Sequence, residues 1–218
     1  MLVAIDTSTD YASLALHDGF QVQAEHTWRS PRRHTVELVP RLIAALEQLE
    51  LSTSQLSGVA VARGPGSFTG LRVGLAVAKG LALSQGLPLL GVSTLDVIAA
   101  AQGRGRHTLY AVLQAGRDRI SVAAYRWHSS EWRCRDEPHL ATWESLAKEI
   151  KSPTLLCGEI DPAGADILAA LGELVTILPA AARLRRAGFL AELAWRRLNE
   201  GESDDPATLV PLYLQYPV

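Results

Sequence analysis

The stretch Gly64-Pro-Gly-Ser-Phe-Thr-Gly-Leu-Arg-Val-Gly74 decides the fold, because a strand is predicted before it and a helix after it. The short apolar run 59–62 is typical of a buried strand, and the glycines that follow permit a sharp turn with accessible backbone. Ser67 or Thr69 can cap a helix of roughly Leu71 to Gln85. The free N–H groups and the dipole at such a helix start favour an anion.

The glycine spacing in this turn matches no standard nucleotide-binding fingerprint. Gly64, Gly66 and Gly70 are spaced one residue too widely for G-x-G-x-x-G, and Leu71 stands where a Walker loop needs lysine. A plain tight turn is therefore the favoured interpretation, and phosphate binding stays open as the alternative.

The predicted helix carries two rows of small residues. At four-residue spacing these rows are Gly74, Ala78 and Ala82, and beside them Ala76, Gly80 and Ser84. Each interior glycine costs about 1 kcal/mol relative to alanine, so close packing should offset it. The rows predict either dense packing on the chain's own sheet or close approach by a helix of another chain.

Composition indicates a globular protein of one large domain or two small ones. The 218 residues are 48% hydrophobic and carry a net charge of −2, so no global basic field attracts nucleic acid. Cys134 and Cys157 show no metal-binding spacing. The N-terminus enters a strand without a signal-like segment, and no apolar run reaches membrane-spanning length. We expect a cytoplasmic protein that does not bind membranes.

The predicted elements repeat in the two halves of the chain. Three strands, a helix, a strand and a helix precede the polar, glycine-rich stretch 102–107, and the same order follows it. We therefore predict an α/β protein with a first lobe at 1–104 and a smaller, degenerate second lobe at 105–218. The last helix, predicted for 183–199, is a candidate to pack back on the first lobe.

Four stretches resemble the TsaB (YeaZ) family: Ile5-Asp-Thr-Ser-Thr9, the glycine turn 64–74, Ala78-Lys-Gly-Leu81 and Pro211-x-Tyr-Leu214. The resemblance covers the first lobe closely and the second by layout and tail. It implies the two-lobe actin-like fold of sugar kinases and heat-shock chaperones, which is ribonuclease H-like. It also implies a role in making threonylcarbamoyladenosine beside the tRNA anticodon.

The resemblance further implies a set of partners. TsaC makes threonylcarbamoyl-adenylate and TsaD transfers the group to tRNA, while members of this family are non-catalytic partners of TsaD. TsaE joins as an ATPase. Alone, the chain is expected to be a homodimer, and it would meet tRNA only indirectly, through the complex. It would need no cofactor itself, although the complex could use ATP or ADP with magnesium.

A weak nucleotide site is one prediction from the resemblance. The Asp6 turn stands where actin-like ATPases have the first phosphate loop, whose carboxylate helps to hold a hydrated metal; an Asx-turn that caps the strand is an equal alternative. In the second lobe, the neutral Gln114 stands where a carboxylate is common, so magnesium would lose a ligand. The candidate residues are Asp6, Thr7, Ser8, Gly64, Gly66, Ser67, Thr69 and Gly70.

Catalytic residues and metal ligands are not predicted. TsaD-like sequences have two metal-binding histidines four residues apart, and Thr94 and Ile98 stand at those positions here. Isoleucine cannot bind a metal, and threonine replaces imidazole poorly. We therefore predict no enzyme activity. The alternative is a stand-alone weak nucleotide-binding ATPase or a glycoprotease-like hydrolase.

The predicted partner interface lies on two helices of the first lobe. The first of them begins near Ser30 and has an apolar stripe at Val36, Val39, Leu42, Ile43, Leu46 and Leu49. The second is the helix with the small residues. The candidate contact residues are Val36, Val39, Leu42, Leu71, Arg72, Gly74, Leu75, Ala78, Lys79, Gly80 and Ala82.

Overall fold

The chain folds into two compact units, each built on one β-sheet. The computed structural model describes residues 1–214. The first unit combines Met1–Val97 with Arg185–Leu212, and the second contains Ile98–Leu184. These units differ from the predicted lobes 1–104 and 105–218, because the first stretch ends at Val97 and Arg185–Leu212 joins it; that segment includes the last helix, the predicted candidate to pack back on the first lobe.

The first sheet is mixed and has five strands. They are β1 (Leu2–Asp6), β2 (Tyr11–His17), β3 (Val22–Arg29), β4 (Gly58–Gly64) and β5 (Leu89–Ser93). Their order is β3-β2-β1-β4-β5; β1 is antiparallel to β2 and parallel to β4. Since β1 and β4 run the same way, the loops after them meet at one edge of the sheet.

The second sheet repeats this arrangement and adds one short strand. Its strands are β6 (Thr108–Gln114), β7 (Ile120–His128), β8 (Glu131–Cys134), β9 (His139–Ala141), β10 (Thr154–Gly158) and β11 (Val175–Ile177). Their order is β11-β10-β6-β7-β8, with β9 paired to β7. If β9 is left out and the strands of each sheet are numbered one to five along the chain, both sheets have the spatial order 3-2-1-4-5.

Helices cover the sheets and connect their parallel strands. They are α1 (His34–Gln48), α2 (Phe68–Gln85), α3 (Thr94–Ala100), α4 (Trp143–Glu149), α5 (Pro162–Ala169), α6 (Ala180–Arg183) and α7 (Ala187–Asn199). Short 3-10 helices lie at Thr53–Gln55 and Gly172–Leu174. No helix within residues 1–214 is both long and apolar enough to cross a membrane.

The first sheet is packed on both faces, and β1 shows how its sequence achieves this. Val3 and Ile5 join the core formed with α1 and α2, whereas Leu2 and Ala4 join the core formed with α7. Alternate side chains of a strand point to opposite faces, so a strand covered on both sides is a continuous apolar run. Helix α7 is thus part of the first unit's core.

The buried face of α1 differs from the predicted stripe. Leu38, Ala45 and His34 are buried together with the predicted Leu42 and Leu46. By contrast, three residues of the stripe are exposed, namely Val36, Val39 and Ile43, with exposed fractions of 62%, 40% and 49%. The helix has apolar residues on two sides, and only one of those sides faces the sheet.

The outer edge of β5 is covered by polar groups from the C-terminal segment. The Asp204 N–H donates to the Leu89 carbonyl at 2.7 Å, and the Asp204 carboxylate accepts from the Gly91 N–H at 2.7 Å. Arg197 Nη1 donates to the Gly91 carbonyl at 2.9 Å. These bonds satisfy backbone groups that a sheet edge otherwise leaves unpaired.

Candidate functional site

The loop after β1 is a tight turn held by the Asp6 carboxylate. Asp6 is fully buried, and its Oδ1 accepts hydrogen bonds from the Ser8 N–H at 2.8 Å and from the Ser8 hydroxyl. This is the geometry of an Asx-turn, in which an aspartate side chain replaces a backbone acceptor two residues on. One carboxylate oxygen is therefore occupied by the turn itself.

The other carboxylate oxygen of Asp6 is paired with Arg185. Arg185 Nε donates to Asp6 Oδ2 at 2.9 Å, and both side chains are almost completely buried. Arg185 Nη2 also donates to Thr9 Oγ1 at 2.7 Å and to the Tyr11 carbonyl at 3.2 Å. A guanidinium of the same chain thus neutralises the carboxylate that a hydrated metal would require.

Sequence reasoning did not identify Arg185 as a site residue. It lies two residues before α7 and 179 residues from Asp6. No local pattern connects positions so far apart. Their contact follows from the return of the C-terminal segment to the first sheet, which sequence periodicity does not encode.

The glycine turn packs against the Asp6 turn, backbone to backbone. The Ser67 N–H donates to the Ser8 carbonyl at 2.6 Å, and the Thr7 hydroxyl donates to the Gly70 carbonyl at 2.8 Å. A Cβ at Gly66 would overlap the Ser8 carbonyl oxygen, and one at Gly70 would overlap that of Thr7. The space that a phosphate would need beside Gly66 and Gly70 is therefore occupied by the backbone of the Asp6 turn.

Gly64, the first glycine of the turn, accommodates the C-terminal segment. Gly64 has φ +117°, and a Cβ there would overlap the Leu212 carbonyl oxygen. The Leu212 N–H donates to the Arg63 carbonyl at 2.6 Å. A positive φ and a backbone neighbour both require glycine at this position.

The residues predicted for nucleotide binding therefore meet in space, but most of them are buried against one another. Ser67 and Thr69 are exposed and Gly66 is partly exposed, whereas the rest of the set is buried. Ser67 Oγ caps α2 by accepting from the Gly70 N–H at 3.3 Å. The described geometry is that of a structural turn, with its polar groups used internally.

The corresponding loop of the second unit is also satisfied internally. Gln114 Nε2 donates to Asp161 Oδ2 at 3.1 Å, and the Gln114 N–H donates to Glu159 Oε2 at 3.3 Å. Asp161 also caps α5 by accepting from the Gly164 N–H at 2.7 Å. Among residues 1–214, no group of three or more histidine, cysteine, aspartate or glutamate residues could hold a metal ion.

The two positions aligned with metal ligands lie in α3 and are buried. Thr94 is fully buried, and within the described part of the chain its hydroxyl has no hydrogen-bond partner. Ile98 is 1% exposed. The two cysteines lie elsewhere: Cys134 is exposed, while burial raises the pKa of the Cys157 thiol.

The predicted partner interface is divided by the structure. Six of its residues lie in the core of the first unit and are corrected to packing residues: Leu42, Leu71, Gly74, Leu75, Ala78 and Ala82. The physical reason is that Leu42 lies on the buried side of α1 and the other five lie on the side of α2 that faces the sheet. A Cβ at Gly74 would overlap Thr7 Oγ1 and lie 3.6 Å from Ile5.

The other residues of the predicted interface are on the outer side of the helices. Val36, Val39, Arg72 and Gly80 are exposed and Lys79 is partly exposed. Gly80 has no neighbour within 4 Å of an added Cβ. With two further apolar side chains, Ile43 and the 69% exposed Leu83, these residues form what we call the helix-pair surface: Val36, Val39, Ile43, Arg72, Lys79, Gly80 and Leu83.

Known proteins match the chain in sequence and in structure. A family model described as "TsaD: tRNA N6-adenosine threonylcarbamoyltransferase" matches residues 28–217. The tRNA threonylcarbamoyladenosine biosynthesis protein TsaB of Bacillus subtilis (strain 168) is 32% identical over 98% of this chain and 93% of its own length. TsaB of Escherichia coli (strain K12) is 35% identical over 64% of this chain and 63% of its own length.

A solved structure also matches along nearly the whole chain. It is described as an uncharacterized protein with similarity to peptidase YEAZ from Pseudomonas aeruginosa. Its TM-score is 0.82 at 28% identity, and the match covers 98% of this chain and 99% of the other.

The duplicated five-strand order, with a loop after the first strand of each sheet, defines an actin-like α/β protein and confirms the predicted fold class. The polar groups of these two loops are held in hydrogen bonds within the chain. Within that class, the chain belongs to the TsaB (YeaZ) family, related to TsaD, and acts in tRNA threonylcarbamoyladenosine biosynthesis. The predicted resemblance is thereby confirmed.

Proposed function

We propose that this protein is a non-catalytic subunit of the threonylcarbamoyladenosine machinery and pairs with TsaD through the helix-pair surface. The observation that carries the proposal is the exposure of Val36, Val39, Ile43 and Leu83 on two adjacent helices. Val36, Val39 and Ile43 recur at helical spacing on one side of α1, and exposed apolar side chains grouped in this way often mark protein interfaces. Gly80 adds a flat area where a partner helix can approach closely.

The closed loop of the first unit supports a non-catalytic role. A carboxylate neutralised by Arg185 and engaged by Ser8 has little capacity to bind magnesium. We therefore expect the isolated chain to bind ATP or ADP weakly or not at all. Any magnesium nucleotide needed by the complex would then be held mainly by TsaD or TsaE.

The experiment is to omit each component in turn from a reconstituted reaction. Purified chain, TsaD and TsaE are combined with TsaC product and an unmodified tRNA transcript, and threonylcarbamoyladenosine is measured. We expect modification to need both TsaD and this chain. Modification by the chain without TsaD would contradict the non-catalytic role, and full activity without the chain would contradict the subunit role.

The interface is tested by a charge placed at its centre. Ile43→Asp should abolish pairing with TsaD in size-exclusion chromatography, and it should also convert any homodimer of the isolated chain to a monomer. Phe20→Asp is the matched control, because Phe20 is 93% exposed at the hairpin between β2 and β3. Equal pairing by both variants would place the interface elsewhere.

A further inference from the structure

The arginines of the second unit are concentrated in one part of its sequence. Residues 102–135 contain seven arginines, no lysine and two acidic residues, Asp118 and Glu131. Their formal net charge is +5 (7 − 2), in a chain whose total is −2. A charge asymmetry of this kind often marks a surface that binds a polyanion.

The fold brings four of these arginines to one end of the second sheet. Arg126 in β7 lies directly opposite Arg133 in β8. Because β7 is antiparallel to β6, this end of β7 lies beside the start of β6 and the loop that carries Arg104 and Arg106. We call these four residues the arginine edge.

The loop is fixed to this end of the sheet by Trp132. Trp132 Nε1 donates to the Gln102 carbonyl at 3.2 Å, and a Cβ at Gly105 would overlap the Trp132 ring. Arg104 and Arg106, on either side of Gly105, are both exposed. Their backbone is therefore positioned by the same hairpin that carries Arg126 and Arg133.

The positive charge of the edge is poorly compensated within the chain. Like charges directly opposite each other on neighbouring strands destabilise a sheet. Arg133 pairs with Glu131 at 2.8 Å, whereas Arg126 makes no ion pair within residues 1–214. An anion bound across Arg126 and Arg133 would relieve this repulsion.

A partly exposed aromatic side chain lies on the face of β7 opposite to that of Arg126 and packs on Trp132, which holds the loop of Arg104 and Arg106. Trp127 follows Arg126, is partly exposed, and packs edge-on against Trp132 with ring centroids 5.5 Å apart. Guanidinium groups bind phosphate in a bidentate manner, and exposed aromatic rings stack on nucleotide bases. Arginines without lysines, together with a partly exposed tryptophan, favour RNA over an acidic protein as the ligand.

We propose that the arginine edge contacts the sugar-phosphate backbone of the substrate tRNA directly. The proposal rests on the proposed function, since it takes the tRNA of that reaction as the ligand. It differs from the expectation that the chain meets tRNA only through its partners. The net charge of the whole chain conceals this edge, because acidic residues outnumber basic ones elsewhere.

The test compares two double variants in the complex with TsaD. Arg126→Gln/Arg133→Gln removes two charges from the edge. Arg117→Gln/Arg119→Gln is the matched control, because it removes two exposed arginines from the turn at the opposite end of β6 and β7. Binding of a fluorescent unmodified tRNA transcript is measured by anisotropy from about 50 to about 200 mM salt.

Log affinity falls as log salt concentration rises, and each phosphate contact adds about 0.7 to 0.9 to the steepness of this fall. We expect the edge variant, which lacks two contacts, to have a slope that is smaller in magnitude by about 1.4 to 1.8. The control variant should leave the slope unchanged. Equal slopes for wild type and edge variant would overturn the proposal. Polyglutamate serves as a model of an acidic protein, and displacement of the tRNA by polyglutamate at equal charge concentration would also overturn it.

Pairing with TsaD is recorded on the same samples by size-exclusion chromatography. Both variants should pair as the wild type does. If the edge variant pairs with TsaD and has the salt slope of the wild type, only the proposed RNA contact is wrong. If the wild-type chain does not pair with TsaD, the proposed function is wrong.

Discussion

At the scale of single residues, Gly74 and Gly80 belong to the two small-residue rows of α2 but have opposite surroundings. Gly74 faces Thr7 and Ile5 inside the first unit, while Gly80 faces outward with nothing within 4 Å. Helical spacing alone does not tell which row faces the sheet. The same substitution should therefore have opposite effects at the two positions.

Gly74→Leu should destabilise the protein, and Gly80→Leu should not. Overpacking a filled core costs about 1–3 kcal/mol. At the exposed site, leucine replaces a poor helix former and can add up to about 1 kcal/mol. Urea denaturation measures both free energies of unfolding. Gly80→Leu should nevertheless weaken pairing with TsaD. Equal destabilisation by the two variants would contradict the assignment of the rows.

The buried pair of Asp6 and Arg185 predicts a strong effect of single substitutions. Arg185→Met leaves a buried carboxylate without its counter-charge, which costs about 3–5 kcal/mol. Asp6→Asn combined with Arg185→Met removes both charges and should recover part of that loss. Urea denaturation of these two variants and of Asp6→Asn alone gives the coupling energy. A single variant as stable as the wild type would show that the ion pair contributes nothing net.

At the scale of elements, the start of α1 is tied to the end of β3 through Glu37. Glu37 Oε2 accepts from the Ser30 hydroxyl at 2.7 Å and from Trp28 Nε1 at 3.0 Å, and Arg33 pairs with the other oxygen at 3.0 Å. The Ser30 hydrogen bond is the main cause that holds the pKa of Glu37 below its ordinary value of 4.5. Folding is thus coupled to ionisation of this carboxyl group.

Glu37→Gln should remove a pH-dependent part of the stability. A lowered pKa in the folded state means that the contribution is present above about pH 4.5 and is lost as the pH falls through the folded pKa. The stability difference between wild type and variant should therefore shrink from about pH 7 to about pH 3. Urea denaturation at several pH values measures it, and a constant difference would contradict the coupling.

The main elements could be predicted from the sequence where the pattern is long, but contacts between distant residues could not. The apolar runs of β1 and β4 and the glycine turn before α2 are local signals that determine local structure. The strand β9 and the helix α6 have three and four residues, too few to show a period. The sequence pattern places Val36, Val39 and Ile43 in one stripe with Leu42 and Leu46, and the structure separates the exposed side chains of this stripe from the buried ones.

In the candidate site, too, the local turns could be predicted from the sequence and the contacts with distant residues could not. The family resemblance groups the Asp6 turn and the glycine turn in one candidate site, and the structure brings the two turns together after the parallel strands β1 and β4. The sequence does not predict that the Arg185 guanidinium and the Leu212 backbone fill the space beside them. Both belong to the segment that returns to the first unit.

At the scale of the whole molecule, that returning segment should decide whether the first unit can fold by itself. Leu190, Ala191 and Ala194 of α7 are fully buried in a core shared with β1, β4 and β5. A fragment of residues 1–104 lacks α7 and exposes that apolar face. We expect it to aggregate and to melt without a cooperative transition.

Co-expression provides the control for this fragment experiment. A second fragment of residues 180–218 should restore a soluble complex that melts cooperatively, and the same fragment with Leu190→Asp should not. A fragment of residues 1–104 that is monomeric and melts cooperatively would contradict the role of α7.

The polar groups that cover the edge of β5 should affect whether the protein aggregates after proteolysis. Asp204 and Arg197 occupy the backbone groups that the edge strand would otherwise offer to a neighbour. Proteolysis just after α7 would remove Asp204 and leave the Leu89 carbonyl and the Gly91 N–H at the edge of β5 unpaired. Such an edge is a template for strand addition by further copies. A proteolysed sample should therefore form ordered β-aggregates, whereas Asp204 keeps this edge of the intact protein from pairing with other copies.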